Sequence, residues 1–138
     1  MRHKVKGYKL NRSSGHRRAM QRTMIRQLID NEKMETTLPK AKFIQAATEK
    51  LITLARNNQD ADEIKMMNAR RLAVAKLGTG SRPQVQKLFD DIAPRYVSRN
   101  GGYTRKSKKL RSSFKDKPTR ISTYFFSESA IIQKCKAW

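Results

Sequence analysis

Nine Lys or Arg and no carboxylate lie between Met1 and Gln27, and within that stretch Arg18, Arg22 and Arg26 recur at i, i+4 spacing. Guanidinium groups in series on one helical ridge, with no acid placed to pair with them, suit one kind of chemistry: contact with phosphate oxygens. A second run, from Arg95 to Arg120, holds ten more cations against Asp116 alone and encloses Gly101-Gly102. Paired glycines let backbone approach a phosphate closely. Over all 138 residues, 32 Lys and Arg against 11 Asp and Glu leave a net charge of +21. A small soluble domain usually carries a net charge of magnitude about 2–8. The excess here repels itself, so a dense polyanion is the expected counter-ion, and each phosphate neutralised releases condensed cations. Ser, Asn and Gly interleaved with the cations are phosphate and sugar ligands, which position without reading sequence. Folded RNA, recognised by shape and 2′-hydroxyls, is the natural match.

Catalysis needs convergent groups, and none assemble. His3 and His16 both lie in the basic leader, and Cys135, the single cysteine, sits in a Lys-bearing tail without a nearby His. A structural zinc site takes about four Cys or His ligands, and three stand at opposite ends of the chain. Asp90 and Asp91 are adjacent, so on a helix they diverge by roughly 100°; they are expected to offset Lys87 and Arg95. Gly101-Gly102 lacks the Lys-Ser/Thr that follows a nucleotide loop. The expectation is a binding protein with no enzymatic role, metal or cofactor. No apolar run approaches the ~20 residues that span a bilayer, so no membrane partner is expected. The opening stretch is too polar for a secretory signal, but its Arg, Ser and missing acids match a mitochondrial presequence. Bacterial cytoplasm and an organelle interior (mitochondrion or plastid) both stay open.

These groups need elements to hold them. Ser13 or Ser14 can cap a first helix, with Met20, Met24, Ile25, Leu28 and Ile29 as its apolar stripe and the arginine ridge on another side. Glu35-Thr36-Thr37 reads as a brief extended segment. Pro39 suits the first turn of a second helix through Ile44, Ala47, Leu51, Ile52, Leu54 and Ala55, interrupted at Asn57-Asn58. A third helix starts near Asp60 or Asp62 and runs through Ile64, Met67 and Leu72 to Gly78-Thr79-Gly80. Pro83 opens a fourth, with Val85, Leu88, Phe89 and Ile92 inward and Pro94 closing it. Ile121–Phe126, β-branched and aromatic, reads as a strand. About four helices packed on a small late-sequence β-sheet make an α+β fold. The expected organisation is a basic extended arm over 1–12, one domain over 13–126 with a basic loop near 105–120, and a tail over 127–138.

Particular strings carry a resemblance. MRHKVKGYKLNRSSGHRRAM, then Thr36-Thr37-Leu38-Pro39-Lys40-Ala41-Lys42 with Leu51-Ile52-Thr53-Leu54-Ala55, then Lys87-Leu88-Phe89, Ala93-Pro94-Arg95-Tyr96 and Ser98-Arg99-Asn100-Gly101-Gly102-Tyr103-Thr104-Arg105 stand in order over most of residues 1–105. Together they resemble the family of bacterial-type large-subunit ribosomal protein seventeen. The resemblance implies a small α+β protein bound to large-subunit rRNA, one copy per ribosome, beside neighbouring large-subunit ribosomal proteins. It places Arg2, His3, Lys4, Asn11, Arg12, His16 and Arg17 against RNA, and Arg95, Arg99, Tyr103 and Arg105 around the glycine turn of Gly101 and Gly102. For Tyr103, stacking on a base and burial in a small core are equal alternatives. Charge adds Lys6, Lys9, Arg18, Arg22, Arg26, Lys40, Lys42, Lys106, Lys108, Lys109 and Arg111 as RNA contacts. Lys106-Ser107-Lys108-Lys109 departs from the family, which continues there with an apolar strand. The alternative function is a general architectural or chaperone-like nucleic-acid binder with no fixed address.

Overall fold

The computed structural model describes residues 7–108 and 120–125. Its elements are helix α1 (Ser14–Asn31), strand β1 (Lys33–Thr37), helices α2 (Leu38–Arg56), α3 (Glu63–Leu77) and α4 (Arg82–Lys87), a π turn (Leu88–Ile92), a 3-10 turn (Ala93–Tyr96), and strands β2 (Thr104–Lys108) and β3 (Arg120–Phe125). The order is the expected α+β. Part of the arm, the stretch 109–119 of the expected basic loop, Phe126 and the tail lie outside the described residues.

Local chemistry sets the boundaries. Ser13 caps α1, its Oγ accepting from the His16 N–H at 3.5 Å, which satisfies one of the orphan donors of a helix start. Pro39 sits in the first turn of α2, where its missing N–H is no loss. Gly78 ends α3 at φ +89°, giving its N–H to Val74 at 2.8 Å. Arg105, Lys106 and Lys108, expected in a loop, belong to β2. The sheet runs β1-β3-β2, antiparallel throughout, with Met34 opposite Thr123 and Lys106 opposite the same Thr123. The β-branched and aromatic strand is central, and the two edges carry Lys33, Glu35, Arg105 and Lys106, charges that discourage further strand pairing.

Helix α2 is the hub, packing against α1, α3, both turns and all three strands. Its Ile44, Leu51, Ile52 and Ala55 meet Ile25, Leu28 and Ile29 of α1, Ala69, Ala73 and Leu77 of α3, and Val85, Leu88, Phe89, Ile92 and Tyr96. At about 100° per residue, Ile25, Leu28 and Ile29 form the buried line of α1. The Met20/Met24 ridge lies on one shoulder of that line, half-buried, and Arg22/Arg26 lies on the other. The arginine ridge therefore borders the core rather than facing directly away from it.

Two further expectations change. In α3 the large residues Ile64, Met67 and Leu72 are 74%, 46% and 54% exposed, and the small residues Ala69 and Ala73 are buried instead. Alanines bring the helix backbone close to α1 and α2, which turns the larger side chains outward. Pro94 does not close the fourth helix. The backbone widens into the π turn, then tightens into the 3-10 turn that takes Pro94 at its start, so no α-helical bond is asked of the proline.

Candidate nucleic-acid interface

The leader folds back onto the first helix. Leu10 and Asn11 take φ +55° and +50°, and the Arg12 N–H meets the Lys9 carbonyl at 3.2 Å, the pattern of a type I′ turn. Arg17 Nη1 donates to the Arg12 carbonyl at 3.1 Å and to the Lys9 carbonyl at 3.5 Å. Arg12 Nη1 lies 2.7 Å from His16 Nε2, a contact in which neutral imidazole accepts. Arg17 thus braces the turn, and Lys9, Asn11 and His16 stay exposed around it. Arg2, His3, Lys4, Lys6, Lys109 and Arg111 lie outside the described residues, and Lys108 is placed by its backbone in β2.

Two grooves flank α1. The first, of about 250 Å³, lies between α1, α2 and α3. Arg18, Arg22, Lys50 and Lys76 surround an apolar floor of Ile25, Ala47 and Leu51, and no carboxylate lines it. Arg22 Nε donates to the Lys76 carbonyl at 3.2 Å, one of the orphan carbonyls at the end of α3. The second, of about 470 Å³, lies between α1, β1 and the start of α2, and brings Arg12, His16 and Lys40 together with Met20, Met24, Met34 and Glu35. Lys42 projects from α2, exposed, and Arg105 and Lys106 are exposed on β2.

Other predicted residues are committed inside the protein. Arg26 is half-buried, its Nε enclosed without a partner among the described residues. Arg95 forks onto Glu32, Nη1 to Oε2 at 2.8 Å and Nη2 to Oε1 at 3.4 Å, with Lys87 Nζ 3.5 Å away on the other side. The Arg95 hydrogen bond holds the Glu32 carboxyl below the usual carboxylate range, against burial, with the charges of Arg95 and Lys87 assisting. Glu32 stands at φ +55° just past α1, so the pair fixes a left-handed helix end. The expected pairing of Asp90 with Lys87 does not form; Asp90 takes Arg70 at 3.0 Å instead. Helix α1, 18 residues and about 27 Å long, keeps Arg95 apart from the leader turn.

The glycine turn is built as a rigid corner. Arg56 Nη1 donates to the Arg99 carbonyl at 2.6 Å and to Asn100 Oδ1 at 2.9 Å, and Arg99 Nε donates to the Gly101 carbonyl at 3.1 Å. Gly101 and Gly102 are exposed, at φ +152° and +64°, the second a conformation that favours glycine. Tyr103 is 1% exposed and packs edge-on against Tyr96, ring centroids 5.2 Å apart. Of its two readings the core one holds, because an enclosed ring has no face to offer a base. Thr104 beside it donates from Oγ1 to Glu49 Oε1 at 2.9 Å, tying β2 to α2.

Sequence reasoning missed Lys50, Lys76 and Arg56. The first two stand among ordinary helix surface residues, and only the packing of three helices brings them beside Arg18 and Arg22. Arg56 shows in the sequence only as a cation in the last turn of α2.

An α+β domain with a cationic, acid-free groove along its first helix, a braced basic leader and an exposed glycine corner has the makings of a polyanion-binding protein. The chain matches the profile of the family Ribosomal protein L17 over residues 20–121, and it belongs to that family. It is 48% identical over 105 residues to the large ribosomal subunit protein bL17 of Maridesulfovibrio salexigens, covering 76% of this chain and 68% of that one. The bL17 protein of Erythrobacter litoralis is 47% identical over 105 residues, with 76% and 69% covered.

Proposed function

We propose that this chain is a structural component of the large ribosomal subunit that binds and stabilises folded large-subunit rRNA, one copy per ribosome, without catalysis. The observation that carries the reading is family membership across most of the described chain, joined to cations gathered along α1 with no acid in the groove between the three helices. The leader turn, both flanks of α1, Lys42, and the Arg99–Arg105 corner supply phosphate and sugar contacts, which position without reading bases. The domain from 13 to 126 sets the geometry, and the basic segments at 1–12 and 105–120 neutralise phosphate. Outward Ile64, Met67 and Leu72 give α3 an apolar side that a neighbouring ribosomal protein can cover. The chain works on the ribosome, not at a membrane; no helix among the described residues is long and apolar enough to cross one.

Sedimentation of lysate at moderately high salt tests this. Loose polyelectrolyte binding weakens steeply with salt, so stoichiometric retention on the large subunit is the expected result. Release to the top of the gradient, or spreading over all nucleic acid, refutes it and leaves a general nucleic-acid binder.

A further inference from the structure

The groove between α1, α2 and α3 has two features that a phosphate-tracking ridge does not need. One is its apolar floor of Ile25, Ala47 and Leu51, which the phosphates of an intact duplex do not use. The other is the arrangement of Arg22, whose Nε is spent on the Lys76 carbonyl and whose Cδ and Nη1 lie 3.5 and 3.6 Å from where a Cβ on Gly78 would stand. That backing holds the guanidinium in place, and its two terminal nitrogens have no partner among the described residues. The methionine-floored groove on the other flank of α1 has Glu35 in its wall, which disfavours an anion; this one has no acid. At about 250 Å³ it falls just below the roughly 300–1,000 Å³ of whole small-molecule sites, a size that suits one ring system.

We propose that this groove receives a single unstacked RNA nucleotide, its base against Ile25, Ala47 and Leu51 and its phosphates between Arg18, Arg22, Lys50 and Lys76. The proposal rests on the RNA-binding reading above and deepens it. An unstacked base has apolar faces and a polar edge; the floor covers one face, a guanidinium plane can cover the other, and Gln21 in the wall can meet the edge. The floor is aliphatic, so the pocket tolerates any base and selects for a nucleotide already out of the stack.

The test compares two RNA hairpins, identical except that one carries a single bulged 2-aminopurine, binding to the full chain at moderate salt. The bulged hairpin is expected to bind about tenfold tighter, with a change in 2-aminopurine emission. Ala47→Leu fills the floor and leaves all four cations. It is expected to abolish the preference while keeping the paired hairpin's affinity and salt slope. Arg22→Lys, which keeps the charge and removes the guanidinium plane, is expected to reduce the preference several-fold on an unaltered floor. Equal binding of the two hairpins by the unaltered chain overturns the pocket and spares the RNA-binding reading. A preference that survives Ala47→Leu also overturns it, and leaves the groove to an acidic protein segment. Failure of both hairpins to bind overturns the RNA-binding reading and the pocket together.

Discussion

Removing the side-chain amide of Gln59 tests how the segment that carries Arg95 and Tyr96 is held. In the π turn the Ala93 N–H reaches the Leu88 carbonyl, five residues back. The next bond in that ladder would join residue 94 to the Phe89 carbonyl, and Pro94 has no N–H to give. Gln59, from the α2–α3 connection, supplies the missing donor: its Nε2 meets the Phe89 carbonyl at 2.8 Å in a half-buried setting. Gln59→Leu keeps most of the volume and leaves that carbonyl without its donor. A neutral hydrogen bond contributes about 0.5–1.5 kcal/mol net, and an abandoned carbonyl raises the loss toward about 1–3 kcal/mol. Half burial sets the expectation at about 1–2 kcal/mol, or roughly 5–15 °C of Tm for an ordered region near one hundred residues. Pro94→Ala restores an N–H at the position the ladder calls for, so in that background Gln59→Leu is expected to lose less than half as much. Thermal and urea melts of the four proteins give the coupling directly. If Gln59→Leu destabilises both backgrounds equally, or shifts Tm by less than about 2 °C, the Pro94 explanation is refuted.

Glu32→Gln is expected to destabilise by about 1 kcal/mol or less at neutral pH, since its pair with Arg95 is a third to a half exposed and partly screened. The folded carboxyl is depressed, so its contribution is present above the unfolded value of about 4.3 and fades as pH falls through the lower folded value. Urea melts should therefore separate the two proteins at pH 7 and bring them together near pH 3; an equal gap at both refutes the linkage. Arg18→Gln with Arg22→Gln is expected to flatten the salt dependence of RNA affinity by about 1.5–2 in log–log slope. Adding Arg26→Gln should change the melt more than the slope, because Arg26 is half enclosed; a further full unit of slope would contradict that placement. Tyr103→Phe should leave RNA affinity unchanged and stability the same or slightly higher, since the buried hydroxyl has no partner among the described residues. A drop in RNA affinity with an intact melt would return Tyr103 to the interface.

The sequence by itself determined the elements and the sign of the surface. Ser13, Pro39, the Asn57-Asn58 break and Gly78 act within one or two residues of themselves, so the helix boundaries they set were legible. So was β3, whose β-branched and aromatic run has no helical spacing. The charge segregation needs no fold to be visible, and the family strings carry the rest of the assignment. What periodicity alone did not settle is which side of a helix meets a neighbour. A ridge of Met20 and Met24 and a ridge of Arg22 and Arg26 are both compatible with the spacing of α1; packing against α2, α3 and α4 chose the line between them. Hydropathy likewise favoured Ile64, Met67 and Leu72 in α3, but close approach of backbones favoured alanine. Pairings distant in sequence were equally out of reach. Glu32 took Arg95 across 63 residues, Asp90 took Arg70, and Lys50 and Lys76 joined the arginines of α1 around one groove. Local signals are short-ranged and act along the chain, so they fix where elements begin and end. Which cations remain available to phosphate depends on neighbours in space, and only the tertiary structure decided that.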